Sequence, residues 1–396
     1  MTERSVTEAD LTQDSILVVN AGSSSLKLSV LDAQDQVTGA FELDRWDGSP
    51  DHDELASFVA GQGQVAAAGH RVVHGGSTFT GPVLVDDGVL AGIRALTDLA
   101  PLHQPRALAG IEAVRRRLPG VPAVACFDTA FHARLPVAAA SYALPADWTA
   151  RFGLRRYGFH GLSHAYASRR ASYLLQKGGY GRPGGLRIVT CHLGAGASLA
   201  AVVGGRSVDT TMGFTPLEGL VMATRSGSVD PGLVIWLARH GGLSLAELSD
   251  GLEDRSGLAG LAQLPDGSGD LRDVHAAAQA GEQSASTAID VYLHRLRREI
   301  AAMAAAMDGL DVLVFTAGVG EHDPLIRAGA AAGLAFLGVA VDPARNEDAT
   351  GDVDISAAGA AVRTLRITAR EDIEIARQAR SVLAGDAGLP PYAGVD

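Results

Sequence analysis

Cysteine is scarce in this chain. There are two, Cys126 and Cys191, each in an apolar, strand-like run (Val121–Phe127 and Leu186–Leu193). They read as buried reduced thiols in a reducing cytosol rather than as a disulfide framework. Long apolar runs are also missing. None approaches membrane-spanning length, so no membrane partner is expected. Positive charge is in deficit: Lys and Arg number 33 against 45 Asp and Glu, a net charge of −12, which argues against a nucleic-acid partner. An acidic protein that handles anions must concentrate its arginines locally, so the placement of Arg71, Arg225 and Arg272 matters more than the total. Residues 1–14 are polar and acidic and lack a signal-peptide core. They read as a disordered extension, and the expected location is cytoplasmic.

What the chain has in plenty is glycine, 48 of 396 residues, with 47% hydrophobic and 20% charged content. That describes a globular protein with many tight loops, long enough for two domains or one large and one small. Strands are expected at Ile16–Asn20, Leu26–Asp32, Ala67–His74, Ala123–Phe127, Leu186–His192, Ser198–Val203, Leu310–Thr316 and Val362–Ile367. Helices are expected at Val89–Ala100, Pro105–Arg117, Gly161–Gln176, Pro231–His240, Leu271–Ala280, Gln283–Met307, Pro324–Ala332 and Glu371–Leu383. Strands alternating with helices indicate an α/β fold. The apolar stretch Ala301–Met307 predicts a buried helix end.

The most telling segment is Ile16–Leu28, an apolar strand that ends at Asn20, turns through Gly22, Ser23, Ser24 and Ser25, and returns past Lys27. Small loop residues let a phosphate approach backbone N–H groups. Asn20 offers a hard oxygen for Mg²⁺, Lys27 a point charge and the serines hydrogen bonds. Alone, the segment reads better as a hairpin with a serine-rich turn. It is not a P-loop, since the Gly-Lys-Ser/Thr ending and the following helix are absent. Similar polar loops at other strand ends shift the weight. Cys191-His192-Leu193-Gly194-Ala195-Gly196-Ala197-Ser198 repeats the strand, polar residue, glycine and return strand. Each copy is followed by an apolar strand ending in a polar loop, Phe127-Asp128-Thr129 in one half and Phe315-Thr316-Ala317-Gly318 in the other. Two similar halves suit a nucleotide-binding architecture with a cleft between them.

Other segments hold chemistry at less specific spacing. His70–Gly76 places Arg71 inside an apolar strand, where an arginine is either ion-paired or ligand-binding. Asp128 ends a strand, as a ligand group or a helix cap. His160 and His164 have the i,i+4 spacing of a zinc pair, but Gly161 places His160 ahead of the helix and no third ligand is near. Asp209–Gly219 runs into Thr224–Pro231 as a long glycine-rich loop, and such loops inside compact domains tend to be functional. Phe315–Glu321 is a glycine loop opening a helix, an anion site or a plain turn.

Together these segments resemble the acetokinase family, in the sugar-kinase and actin superfamily, in order from about Ile16 to Ala384. The long, specific motifs are His70–Gly76, Phe127–His132, Tyr157–His164, Asp209–Gly219 and Phe315–Glu321. The resemblance implies an α/β fold of two domains, each with a duplicated ribonuclease-H-like (actin-like ATPase) core, with an inter-domain cleft. It implies an acid-side domain at 15–130 plus 373–388, a nucleotide domain at 131–372 and a loose tail at 389–396. It implies reversible transfer of a phosphoryl group from ATP, as substrate, to acetate, with Mg²⁺ (or Mn²⁺), in a homodimer.

By resemblance, Asn20 and Glu371 match metal positions. Arg71 matches the arginine that holds the substrate carboxylate. Val73, Leu102, Phe159 and Pro216 match the methyl pocket. Asp128 matches the essential aspartate, and His160 and Arg225 match the residues that stabilise the transferring phosphoryl group. ATP contacts fall on Lys27, His192, Leu193, Gly194, Ala195, Gly196, Asp270, Leu271, Arg272, Gly318, Val319, Gly320, Glu321 and His322. Acetate is already a nucleophile, so Asp128 reads as orienting Arg71 or holding Mg²⁺ through water, not as a base. The sequence departs from the family pattern at Ala195 (asparagine in the pattern), at Ser228 (aspartate) and at His322-Asp323 (Asn-Ser). Competing readings are a propionate or butyrate kinase, an actin-like ATPase without an acid substrate, and a zinc hydrolase using His160, His164 and Asp128.

Overall fold

In the computed structural model the described residues are 15–22, 25–44, 46, 48–49, 53–62 and 65–385. The expected extension at 1–14, Ser23 and Ser24 of the first polar loop, and the tail from 389 lie outside them. The chain divides into two compact units. One comprises the residues up to Ala133, Phe159–Tyr166 and the chain from Arg370; the other comprises Arg134–Gly158 and Ala167–Ala369.

The first unit holds a six-stranded sheet of order β3-β2-β1-β4-β6-β5. Its strands are β1 (Ile16–Ala21), β2 (Ser25–Leu31), β3 (Val37–Asp44), β4 (Ala67–Val72), β5 (Val83–Leu84) and β6 (Ala123–Phe127). β1 pairs antiparallel with β2 and parallel with β4, and β4 runs parallel to β6. Both faces of β1 are buried, which is why it reads as a continuous apolar run. Leu17 and Val19 join Leu26, Leu28, Val30 and Trp46 on one face. Ile16 and Val18 meet Val124, Cys126, Ile375, Ala376 and Ala379 on the other. The final helix Glu371–Leu383 thereby lies on β1, β4 and β6, which brings Glu371 to this unit. The sequence reading assigns all of 131–372 to one domain. In the structure Phe159–Tyr166 belongs with the first unit, where the Phe159 ring meets His74 edge-on at 5.4 Å.

The second unit repeats the plan. Its sheet has order β11-β12-β10-β7-β8-β9. The strands are β7 (Arg187–Leu193), β8 (Ala197–Val203), β9 (Arg206–Thr210), β10 (Val312–Thr316), β11 (Val353–Asp354) and β12 (Arg363–Arg366). Again an antiparallel three-strand meander continues into two parallel strands, with a short antiparallel strand at the edge. The duplicated α/β core expected from the hairpin repeat is therefore present.

Differences are local. The helix expected at Val89–Ala100 ends at Ala95 and is followed by a 3₁₀ turn, Thr97–Leu99. The end of helix Gln283–Ala305 is buried on one face only. Met303 and Ala304 are inside, whereas Ala302 and Ala305 are exposed, because alanine is tolerated on either side. No helix among the described residues is long and apolar enough to cross a membrane.

Candidate active site

In the first unit the polar ends of β1, β4 and β6 meet. Arg71 Nε and Nη2 donate to Asp128 Oδ2 at 3.1 and 2.7 Å, and Nη1 donates to Asn20 Oδ1 at 3.2 Å. Glu371 Oε2 accepts from Asn20 Nδ2 at 3.4 Å and lies 3.8 Å from Arg71 Nε. Burial opposes the charge on Arg71, but Asp128 and then Glu371 outweigh it and hold the guanidinium firmly protonated. A guanidinium has five N–H groups, and these bonds use three. One remains on each terminal nitrogen, the number a carboxylate needs for a two-point contact. Asp128 opens the short 3₁₀ turn Asp128–His132. It is fully buried, and its Oδ2 holds the Arg71 guanidinium through two hydrogen bonds.

Val73, two residues after Arg71, and Phe159 of the same unit are buried. His74 is also buried, and its Nδ1 accepts from the Gly76 N–H at 2.9 Å, while burial pulls its pKa down to about 4. The ring is therefore neutral. Gln104 fixes the His74 backbone from both sides, accepting from its N–H and donating to its carbonyl. A Cβ at Gly161 would collide with the Asp128 carbonyl, so only glycine lets helix Gly161–Lys177 start against the end of β6. The preceding His160 sits in the left-handed region at φ 56°, a strained conformation for a non-glycine residue. Two expected members are exposed rather than buried, though Lys27 stands directly opposite Asn20 across the β1–β2 pair. Lys27 is exposed and pairs with Glu42 Oε1 at 2.7 Å. Leu102 is 61% exposed, unlike Val73 and Phe159.

The second unit carries a cavity of about 700 Å³. Gly194, Ala195, Asp270, Leu271, Arg272, Gly318, Val319 and His322 line it, all of them expected nucleotide contacts. Nothing lies within 4 Å of where a Gly318 Cβ would sit, so the loop after β10 is open there. Asp270 caps helix Leu271–Gln279 and pairs with Arg272 at 2.6 Å, which lowers the Asp270 pKa. Sequence reading missed His275, Asp323, Pro324, Leu325 and Glu347 on the same walls. His275 Nε2 lies 2.9 Å from Asp323 Oδ2. Its signal was its place one turn into the helix that Asp270 opens. Expected contacts His192, Leu193, Gly196, Gly320 and Glu321 do not line the cavity. Glu321 is buried, accepts from the N–H groups of Ala317 and Ala369, and pairs with Arg366 at 3.2 Å. It holds Ala317 at φ 66°, again left-handed, beside the open glycine.

Arg225, also in the second unit, is half-buried and has no carboxylate partner among the described residues. Its Nη1 donates to the Pro216 carbonyl at 3.1 Å. Burial pulls its pKa below the usual range, with Glu253 and Asp254 opposing.

The acetokinase family profile matches residues 52–377. The chain belongs to the acetokinase family. An acetate kinase of Synechococcus sp. (strain JA-2-3B'a(2-13)) is 45% identical, over 94% of this chain and 100% of that protein. One from Clavibacter michiganensis is 45% identical, over 93% and 99%. The crystal structure of Porphyromonas gingivalis acetate kinase superposes with a TM-score of 0.85 at 35% identity, covering 93% of this chain and 99% of that one. A propionate kinase from Francisella tularensis gives 0.83 at 34% identity, over 92% and 98%.

The three departures from the acetokinase pattern are placed as follows. Ala195 lines the cavity, and its carbonyl accepts from the Ala223 N–H at 3.1 Å. Ser228 Oγ accepts from the Gly219 N–H at 3.1 Å. Asp323 caps helix Pro324–Ala332 while pairing with His275.

Proposed function

We propose that the protein is an acetate kinase that transfers the γ-phosphoryl group of ATP directly to acetate, reversibly, giving ADP and acetyl phosphate. The observation that carries this reading is Arg71, locked by Asp128 and Asn20 with two N–H groups to spare, in a unit that also buries Val73, two residues on, and Phe159. A short carboxylate fits that combination of fork and apolar wall. ATP is assigned to the cavity lined by Gly194, Ala195, Asp270–Arg272, Gly318, Val319 and His322.

Acetate arrives ionised, so no base is required and Asp128 serves as the orienting group. Charge develops on the three equatorial oxygens of a metaphosphate-like transition state. Arg225, with no carboxylate partner among the described residues, and His160 are assigned to those oxygens. Pro216 is assigned with Val73 and Phe159 to the acid's alkyl group.

The donors of Asn20 and Glu371, one amide oxygen and one carboxylate, suit Mg²⁺ or Mn²⁺, which prefers few protein oxygens plus phosphates and water. Among the described residues no group of three His, Cys, Asp or Glu forms a protein-only metal site. When bound, the metal supplies charge neutralisation on the phosphates.

The homodimer is retained as a proposal. Helix Pro231–His240 has no buried residue and exposes Leu233, Ile235 and Trp236, an apolar surface suited to a second copy. Two free, buried cysteines suit a reducing cytoplasm. A second reading, propionate kinase, has support from the name of the Francisella relative. Incubation with ATP, Mg²⁺ and C1–C4 acids, with hydroxylamine trapping of acyl phosphate, tests both. Acetate is expected to give the highest kcat/KM. Absence of hydroxamate from every acid would reject the function.

A further inference from the structure

Residues 211–219 form an irregular loop in the second unit, yet it is tied down more heavily than its surroundings require. Glu218 Oε2 accepts from the Tyr142 hydroxyl at 2.7 Å, and Oε1 accepts from Arg156 Nη2 at 2.7 Å. Tyr142 Oη accepts in turn from the Phe214 N–H at 2.8 Å. Arg156 Nη1 donates to the carbonyls of Thr211 and Met212, both at 3.1 Å, and its guanidinium lies over the Tyr142 ring at 5.5 Å. The N–H groups of Tyr157 and Gly158 donate to the Gly213 carbonyl at 3.0 and 3.2 Å. A side chain at Gly213 would collide with the Glu218 carboxylate and the Tyr142 hydroxyl, so the network closes directly over the backbone. At the far end, Ser228 and Gly219 exchange two hydrogen bonds, 3.0 and 3.1 Å. Thr211 also exchanges hydrogen bonds with the Leu199 backbone at 3.1 and 2.9 Å, and the Pro216 carbonyl accepts from Arg225 Nη1 at 3.1 Å.

A partly exposed ion pair contributes little stability by itself. A fully satisfied polar network does fix one geometry of an irregular segment. We propose that Tyr142, Arg156 and Glu218 are positioning residues that hold residues 211–219 in a single conformation, setting Pro216 for acid selection and, through its carbonyl, the Arg225 guanidinium for phosphoryl transfer. The kinetic part rests on the function proposed above; the conformational part does not. None of the three needs to touch substrate. Their effect follows from the sensitivity of transfer reactions to placement, where about 1 Å of error costs on the order of 10²-fold in rate.

Glu218→Ala removes both acceptors. Tyr142→Phe removes only the hydroxyl, and Glu218→Gln keeps an acceptor for it. Hydrogen–deuterium exchange on the intact protein should show residues 211–219 losing protection in Glu218→Ala, less in Tyr142→Phe and least in Glu218→Gln. Segments 270–272 and 318–319, which line the cavity, should stay as in the parent. In steady-state assays, kcat with acetate should fall by about 10²-fold in Glu218→Ala. The propionate-to-acetate ratio of kcat/KM should rise, and KM for ATP should hold within about twofold. Glu218→Gln should recover most of the loss. A folded Glu218→Ala with unchanged exchange at 211–219 overturns the proposal, as does loss of protection spread evenly over the second unit. Loosened exchange with unaltered acid selectivity and kcat overturns the link to Pro216 and Arg225. A parent that forms no acyl phosphate overturns the function instead, and the exchange arm still decides the clamp.

Discussion

The two sheets share one strand order, but their strand ends carry opposite chemistry. In the first unit the ends of β1, β4 and β6 carry Asn20, Arg71 and Asp128, and Arg71 donates to both of the others. In the second unit the polar loops after β7 and β10 present Gly194, Ala195 and Gly318 to a cavity of about 700 Å³. A duplicated scaffold thus carries a hydrogen-bonded charge cluster in one unit and a cavity with room for a large ligand in the other. Each also keeps a non-glycine residue in the left-handed region at its site, His160 in one and Ala317 in the other. Such strain persists where surrounding contacts over-determine it. Gly161 against Asp128 does this in the first unit, and the Glu321 carboxylate in the second.

The sharpest way to break the division is to remove one guanidinium from each unit. Arg71→Ala and Arg225→Ala should each lower kcat/KM by ~10³–10⁵, the range for an arginine on a phosphoryl-transfer transition state. Arg71→Ala should also raise KM for acetate, while Arg225→Ala should act mainly on kcat. Near-normal turnover in either variant would contradict its role. Next in size, Gly318→Val fills open space on the cavity wall. By the cost of overfilling a site, roughly 1–3 kcal/mol, kcat/KM for ATP should fall about ten- to a hundredfold. KM for acetate should be unmoved; a rise in acetate KM instead would erase the division. In the first unit, Val73→Ala should enlarge the alkyl pocket and raise use of propionate relative to acetate by about tenfold, the low end for one methylene. An unchanged chain-length profile would place Val73 outside the pocket.

The smallest expected effect concerns stability. His70, in β4, is buried, and neither ring nitrogen has a hydrogen-bond partner among the described residues. Burial, with Arg115 second, lowers its pKa to about 3, and burial lowers His132 to about 4. In the unfolded chain these groups titrate near 6.5. Full stability is therefore present above that pH and is lost as pH falls toward 4 and 3, because only the unfolded chain takes the protons. The slope is at most ~1.4 kcal/mol per pH unit for each histidine. Urea unfolding at pH 7 and pH 5 should show His70→Leu losing less stability on acidification than the parent. An equal loss in both would refute the neutral, buried assignment.

Much of the scaffold was legible because local signals agreed with it. Asp230-Pro231 and Asp323-Pro324 announce helix starts, and those helices begin where expected. The strands β1, β4, β6, β7 and β10 are apolar because both their faces are covered. The edge strands were not legible. β3 is exposed or half-buried along its length, and β5 and β11 have two residues each, so none carries an apolar signature. Helix Leu245–Glu253 was readable from its capping box, Ser244 with Glu247, and was overlooked. Helix Ala317–His322 has two glycines in six residues and is held, against its propensity, by the contacts of Glu321 with Arg366 and the Ala369 N–H. At the site, residue types found the charge cluster and most of the cavity. They could not tell that Glu321 faces inward or that Lys27 turns to Glu42, because side-chain direction is a tertiary outcome.

The division of labour is tested most directly by equilibrium titration of ATP into Arg71→Ala, in the absence of acid. The account predicts a Kd within about twofold of the parent in a variant that forms almost no acyl phosphate, since none of the cavity's lining residues depends on Arg71. A Kd for ATP that rises in step with the loss of turnover would contradict it.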